Sequence, residues 1–164
     1  LYQVLGAWAD EGWAAQNAIA IAQAETESGT LDGIDEYFAW FNLGTSYGLQ
    51  FEYGQSALAY DTSFSLYNAL PEADRPYRIM WYQTGPYKAY YYTSRYQDVI
   101  TLADSNESTL YMHRQLEETL YWRALAEASL GYYEDAYADL RKAVYYNPHF
   151  QVAIDQMALW GISP

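Results

Sequence analysis

The sequence predicts an all-α protein in which antiparallel helix hairpins stack as a solenoid. Three observations predict this fold class. Small residues recur where two helices would meet closely, aromatic residues recur at a regular long interval, and polar segments separate the helical stretches. Because 51% of the residues are hydrophobic, the chain has enough apolar side chains for a packed core and is not disordered.

We expect eight helices within a single domain that covers residues 1–164. A lone helix, three hairpins and a last helix are predicted at Asp10–Glu27, Asp35–Gln50 with Tyr53–Ala69, Tyr77–Tyr92 with Tyr96–Asp104, Tyr111–Leu130 with Tyr133–Tyr146, and His149–Leu159. Asp10 and Asp35 are suitable N-caps, and Gly131 is a suitable C-cap. Loops are expected at three polar, glycine-rich or proline-rich segments, which are Ser28–Asp35, Leu70–Pro76 and Asp104–Ser108.

Pro86 falls inside the predicted helix Tyr77–Tyr92. A proline in a helix interior removes one backbone hydrogen bond and clashes with the carbonyl four residues earlier. With Gly85 beside it, we expect a kink or a break. Two interpretations stay open: a bent wall that shapes a groove, or an irregularity that the fold tolerates.

The chain repeats a motif with fixed spacing. The motif W-x2-L-G-x2-Y is formed by Trp40, Leu43, Gly44 and Tyr47, and Ser56 with Tyr60 follow it. Its second half recurs downstream at Gly131, Tyr133, Ala136, Leu140, Ala143 and Pro148. Four anchor aromatics, separated by 40, 43 and 37 residues, mark the repeat at Trp13, Tyr53, Tyr96 and Tyr133. Small residues let paired helices approach, and stacked hairpins bury the apolar face that one hairpin cannot.

These motifs resemble the tetratricopeptide repeat (TPR) family over nearly the whole chain, most strongly in Ala39–Tyr60 and Tyr121–Phe150. The stretch Met80–Asp104 is similar to the TPR tail of some secreted or surface proteins of filamentous bacteria. The chain departs from the family pattern at Phe51, where glycine is usual, and at Arg123 and Glu127, where apolar residues are expected. The repeats exceed the usual TPR period of about 34 residues, so each must carry an insertion.

The resemblance implies a right-handed solenoid of about three repeats with flanking helices. In TPR proteins the first helix of each hairpin lines a concave groove that binds protein. The resemblance therefore implies an aromatic, weakly charged groove lined by Phe38, Phe41, Thr45, Trp81, Thr84, Lys88, Tyr91 and Tyr121. For each of these residues, packing against a neighbouring repeat is the alternative interpretation. Only Lys88 and Asn42 stand near positions that could clamp a peptide carboxylate, so we expect no such clamp.

Composition excludes several classes of function. The net charge of −13 opposes contact with phosphate backbones and anionic lipids, so we expect neither nucleic acid nor membrane as a partner. No cysteine is present, and the two histidines, His113 and His149, lack a metal-binding spacing. We therefore expect no metal, no cofactor and no enzyme activity, although carboxylates distant in sequence could still meet as a glycosidase pair.

Both ends of the chain are apolar, which predicts self-association. Leu159, Trp160 and Ile162 are too many apolar residues for one helical stripe, and Leu1–Trp8 carries no charge. Apolar ends on one rod favour head-to-tail contact between copies. The alternative is that the last helix folds back completely. The chain begins at Leu1, which indicates either a processed mature chain or a fragment.

Two functions follow from these observations. The first is a non-catalytic interaction or assembly module whose groove and apolar ends bind a peptide or further copies of the chain. The second is a structural subunit that self-assembles head-to-tail into an extracellular filament or another homo-oligomer. The sequence Asn106-Glu107-Ser108 matches the N-glycosylation acceptor pattern. We expect an extracellular or cell-surface location, and a cytoplasmic location stays open.

Overall fold

The structure is a computed structural model that describes residues 11–76, 83–109 and 116–163. Within these ranges it contains eight α-helices and no strand, which confirms the all-α prediction. The helices are α1 (Glu11–Glu27), α2 (Gly33–Leu49), α3 (Tyr53–Ala69), α4 (Gly85–Tyr92), α5 (Tyr96–Thr109), α6 (Glu117–Ser129), α7 (Tyr133–Tyr146) and α8 (Gln151–Leu159). The chain divides into two compact units, Leu1–Pro76 and Tyr77–Pro164.

The first unit contains an antiparallel hairpin of α2 and α3. Ser56 Oγ donates to the carbonyl of Gly44 at 2.7 Å, and Ser63 Oγ donates to the carbonyl of Tyr37 at 3.1 Å. Both serines are fully buried, so these bonds satisfy hydroxyls that water cannot reach. The later serine of α3 bonds to the earlier residue of α2, so the two helices run in opposite directions.

Gly44 permits this hairpin to close tightly. A Cβ atom at Gly44 would lie 2.9 Å from the ring of Tyr60, a distance that real Cβ contacts essentially never show. The glycine of the W-x2-L-G-x2-Y motif is therefore required by contact between two helices. Trp40 and Tyr47 of α2 pack against a small core of Ala22, Leu43 and Ala59, which attaches α1 to the hairpin.

The second unit contains two further hairpins, α4 with α5 and α6 with α7, followed by α8. The core of its last three helices consists of Leu120, Ala124, Ala136, Leu140, Ala143, Ala153, Met157 and Ile162. Ala124, Ala136 and Ala143 are completely buried. Small side chains at these positions allow neighbouring helices to pack at short distance, as the sequence predicted.

The three hairpins share one turn geometry. In each, the second residue after the first helix has a positive φ: 61° at Phe51, 60° at Ser94 and 87° at Gly131. The amide of that residue and the next amide bond back to the last helical turn, as in Phe51 N to Gly48 O at 3.1 Å and Glu52 N to Tyr47 O at 3.0 Å. This pair of bonds defines the Schellman motif, which normally uses glycine. Tyr53, Tyr96 and Tyr133, three of the predicted anchors, each begin the helix that follows.

Pro86 lies at a helix start and not in a helix interior. Gln83 and Thr84 are not helical, α4 begins at Gly85, and Pro86 occupies its first turn. The predicted helix Tyr77–Tyr92 therefore breaks before Gly85, while residues 77–82 lie outside the described part of the chain. A proline in the first turn costs little because the amide there has no partner within the helix.

Other predicted boundaries also change. Asp32, not Asp35, precedes α2, and Asp35 lies in the first turn. The helix predicted as Tyr111–Leu130 begins at Glu117, and residues 110–115 lie outside the described ranges. The loop predicted at Asp104–Ser108 is wrong, because α5 continues through it to Thr109. Asp10 lies outside the described residues.

The shared turn predicts that glycine at Phe51 or Ser94 stabilises the fold. A left-handed conformation costs an L-residue about 1–2 kcal/mol, and both side chains are exposed, so little packing is lost. We expect Phe51→Gly and Ser94→Gly each to raise the free energy of unfolding by about 1 kcal/mol in urea titrations. Gly131→Ala is the matched opposite change and should lower it by about 1 kcal/mol. Unchanged stability in all three variants would contradict the assigned turn.

Candidate functional site

Six aromatic side chains of the second unit form a continuous row, here called the aromatic row: Tyr91, Tyr92, Tyr96, Tyr121, Trp122 and Phe150. Trp122 lies at its centre, with ring centroids 5.6 Å from Tyr91, 6.0 Å from Tyr92 and 5.4 Å from Tyr121. Tyr91 extends the row to Tyr96 at 5.4 Å, and Tyr121 extends it to Phe150 at 5.9 Å. The row therefore connects the α4–α5 hairpin to α6 and to the start of α8.

The shared turn geometry helps to position the row. Tyr91 and Tyr92 end α4, and Tyr96 begins α5 directly after the turn at Ser94. The turn reverses the chain within a few residues, so rings from two helices meet at one end of the hairpin. Tyr121 and Trp122 lie in the second turn of α6, and Phe150 precedes α8.

The row is partly open to solvent. Tyr92 is 55% exposed, and the other five members are half-buried. Burial, followed by the nearby hydroxyls of Tyr92 and Tyr91, raises the pKa of Tyr121 above its ordinary value. Tyr121 therefore stays neutral at physiological pH. The rings of the row present apolar faces, and the tyrosines and the tryptophan add polar tips.

Two polar contacts hold α6 beside its neighbours. Thr84 Oγ1 donates to Glu118 Oε2 at 2.7 Å, which joins the residue before α4 to the start of α6. Asn147 Nδ2 donates to Glu117 Oε1 at 2.8 Å, which joins the end of α7 to the same turn of α6. Glu117 and Glu118 thus position the helix that carries the centre of the aromatic row.

The predicted groove residues of the second unit make different contacts and do not all lie together. Tyr91 and Tyr121 belong to the aromatic row, where Trp122 joins them. Thr84 bonds to Glu118, and Lys88 is half-buried on α4. Trp81 lies outside the described residues.

The predicted groove residues of the first unit mostly take part in packing. Phe41 is buried among Tyr37, Tyr60 and Phe64, with ring centroids 5.8, 5.0 and 6.3 Å away, so it belongs to a core and lines no open groove. Phe38 is half-buried and contacts Tyr37 at 5.0 Å. Burial raises the pKa of Tyr60 to about 12, while its hydrogen bond with Thr45, at 3.0 Å, opposes that rise.

The predicted self-association residues differ in exposure. Ile162 is buried in the core of the second unit, because the turn at Gly161 directs its amide back to the carbonyl of Met157. Trp160 is half-buried and contacts the ring of Tyr137 at 5.9 Å. Leu159 is 77% exposed. Of these three residues, only Leu159 is available as an apolar contact at the end of α8.

Asn106 is buried within α5 and does not lie in a polar loop. Its Nδ2 donates to the hydroxyl of Tyr87 at 2.6 Å. An N-linked glycan would be attached to this same nitrogen, so glycosylation and the buried bond compete for one atom. The glycosylation pattern therefore predicts an accessible Asn106 side chain, whereas this side chain is buried in the folded chain.

Sequence reasoning missed four members of the row: Tyr92, Tyr96, Trp122 and Phe150. A usable signal was present, because Tyr91-Tyr92 and Tyr121-Trp122 are adjacent aromatic pairs, each on the first helix of a hairpin. Two adjacent helical positions point in different directions, so a pair of rings covers more of the helix surface than one ring does. Both Tyr91 and Tyr92 contact Trp122 of the next hairpin.

No group of residues in the described part of the chain could hold a metal ion, and no described helix is both long and apolar enough to cross a membrane. Comparison of the chain with family models, with curated proteins and with solved structures found no match.

The buried bond of Asn106 predicts a measurable loss of stability on truncation. Asn106→Ala leaves the Tyr87 hydroxyl, which is buried, without one hydrogen-bond donor. We expect the free energy of unfolding to fall by about 1–2 kcal/mol, measured by urea titration. Gln97→Ala, an exposed change on the same helix, is the control and should stay within about 0.5 kcal/mol. Equal effects of the two variants would refute the buried bond.

Proposed function

We propose that this chain is a non-catalytic protein-binding module built from TPR-like hairpins, with the aromatic row as its binding surface. The observation that supports this most is the continuity of the row. Six rings from two hairpins and the start of α8 lie in edge or tilted contact while remaining partly open to solvent. Isolated exposed aromatics are common, whereas a connected surface of this kind favours a partner.

The chemistry of the row suits an extended polypeptide. Tyrosine and tryptophan offer large, stiff apolar faces whose ordering costs little entropy, and they dominate the energetics of protein interfaces. Their hydroxyl and indole groups can also bond to the backbone of a bound segment. The net charge of −13 disfavours anionic ligands, which leaves neutral or basic segments as the preferred partners.

The first unit is less suited to this role. Tyr37, Phe41 and Tyr60 are nearly inaccessible to solvent, and their rings contact one another and those of Phe38, Phe64 and Tyr67. These aromatics stabilise the α2–α3 hairpin from within. We therefore assign the binding surface to the second unit alone.

A displayed library of random, unstructured peptides tests the proposal. Peptides selected on the full chain should lose at least about tenfold in affinity when Trp122→Ala removes the centre of the row, since truncating an interface anchor costs about 2 kcal/mol or more. Tyr145→Ala is the control, because Tyr145 is 81% exposed and lies outside the row. Isothermal calorimetry gives the affinities. Selection of no peptide, or equal effects of both variants, would count against the row.

A second candidate function is self-assembly into a filament or another homo-oligomer. The observation in its favour is that two apolar side chains of α8 are exposed, Leu159 at 77% and Val152 at 48%. Neither side chain belongs to the core of the second unit.

Light scattering as a function of concentration distinguishes the two functions. If α8 mediates assembly, the chain should grow in mass at high concentration, and Leu159→Glu should return it to a monomer because a charge in an apolar contact is costly. The matched control Leu58→Glu changes another exposed leucine, 61% exposed, in the first unit. A chain that stays monomeric throughout would eliminate assembly as a function.

A further inference from the structure

A buried arginine connects three helices of the second unit. Arg123 on α6 makes a bidentate contact with Asp139 on α7, with Nε to Oδ2 at 2.6 Å and Nη2 to Oδ1 at 3.0 Å. Its Nη1 donates to Asp104 Oδ1 on α5 at 2.7 Å. Charge-assisted bonds of this geometry are strong and directional, so one guanidinium joins the α4–α5 hairpin to the α6–α7 hairpin.

Glu127 is the third carboxylate of this cluster and has the poorest contacts. It lies one turn after Arg123, and its Oε1 is 3.9 Å from Arg123 Nε, too far for a hydrogen bond. Its Oε2 is inaccessible to solvent and has no hydrogen-bond partner among the described residues. The residue as a whole is 9% exposed. Three carboxylates thus lie near one positive charge, and Arg123 already forms hydrogen bonds with two of them, Asp104 and Asp139.

Among the described residues, the charged groups that act on Glu127 include no cation besides Arg123. α7 contributes Asp139 and Asp135, and α5 contributes Asp104, all of which disfavour a negative charge on Glu127. Tyr87 of α4 interacts with Arg123; its hydroxyl is bonded to Asn106 and Thr119, and burial raises its pKa, so it stays neutral. Arg123 is therefore the one positive group that acts on Glu127 in this part of the structure.

The covered carboxylate oxygen restricts what can neutralise Glu127. A metal ion or a side chain of a partner has no access to Oε2, because this oxygen is inaccessible to solvent. A proton needs no such space. We propose that Glu127 is a proton-operated switch that makes the packing of α5, α6 and α7 depend on pH.

The sign of the effect follows from the two states of Glu127. Burial, reinforced by the charge of Asp139 and opposed by Arg123, raises its pKa from 4.5 to about 7. Between these values the folded chain keeps a proton that the unfolded chain has lost. The unfolding constant should therefore rise by up to about tenfold per pH unit as pH increases through this window, and the contribution should level off above it.

Urea unfolding of the full chain at pH 5.5 and pH 8 tests the switch. Relative to Glu127→Gln, which is neutral at every pH, the native chain should become about thirtyfold easier to unfold between these two values. Glu134→Gln removes an exposed carboxylate from α7 and is the matched control, because it should leave the pH dependence of the native chain unchanged. If the native chain and Glu127→Gln share one pH profile, the proposal fails.

If Glu127→Gln does not fold, direct titration of Glu127 in the native chain tests the proposal. The carboxyl carbon of Glu127, followed by NMR in the native chain and assigned with a conservative Glu127→Asp variant, should titrate with a midpoint near pH 7. A midpoint at the ordinary glutamate value would overturn the switch. This outcome is independent of peptide binding, so it leaves the proposed function untouched.

Discussion

Close approach of paired helices is the constraint on which the rest of this structure depends. In the first unit, Gly44 leaves no room for even a methyl group beside Tyr60, and two buried serines bond across the same contact. In the second unit, Ala124 and Ala136 are completely buried between helices. Tight pairing of this kind excludes water, and it thereby determines which polar groups must find partners inside the protein.

The hairpin turns bring side chains from the ends of paired helices together at one surface. Each turn places one residue in the left-handed conformation and begins the next helix within a few residues, so the ends of paired helices lie together. At the turn around Ser94 this brings Tyr91 and Tyr96 into contact, and Trp122 of the next hairpin completes the connection. The fold retains Phe51 and Ser94 at left-handed positions despite their cost, and both side chains are exposed.

Local patterns predicted the helices well and the buried polar contacts poorly. Tyr53–Ala69 and Tyr133–Tyr146 were predicted with the bounds that the structure shows, because small and aromatic residues recur there at helical spacing. Asp104–Ser108 was predicted as a loop because it is polar, yet Asp104 and Asn106 bond to Arg123 and Tyr87 from other helices. Such partners depend on tertiary structure. The unusual residues Arg123 and Glu127 were visible in the sequence, but the carboxylate partners of Arg123, Asp104 and Asp139, were not.

The proposed binding surface requires that the six rings of the second unit form one surface in solution. Nuclear Overhauser effects from the Trp122 indole protons of the selectively labelled chain measure this. We expect cross-peaks from Trp122 to the rings of both Tyr91 and Tyr121, because their centroids lie 5.6 and 5.4 Å away. A Trp122 side chain with cross-peaks to neither ring would show that the row does not exist and would contradict the proposed binding surface.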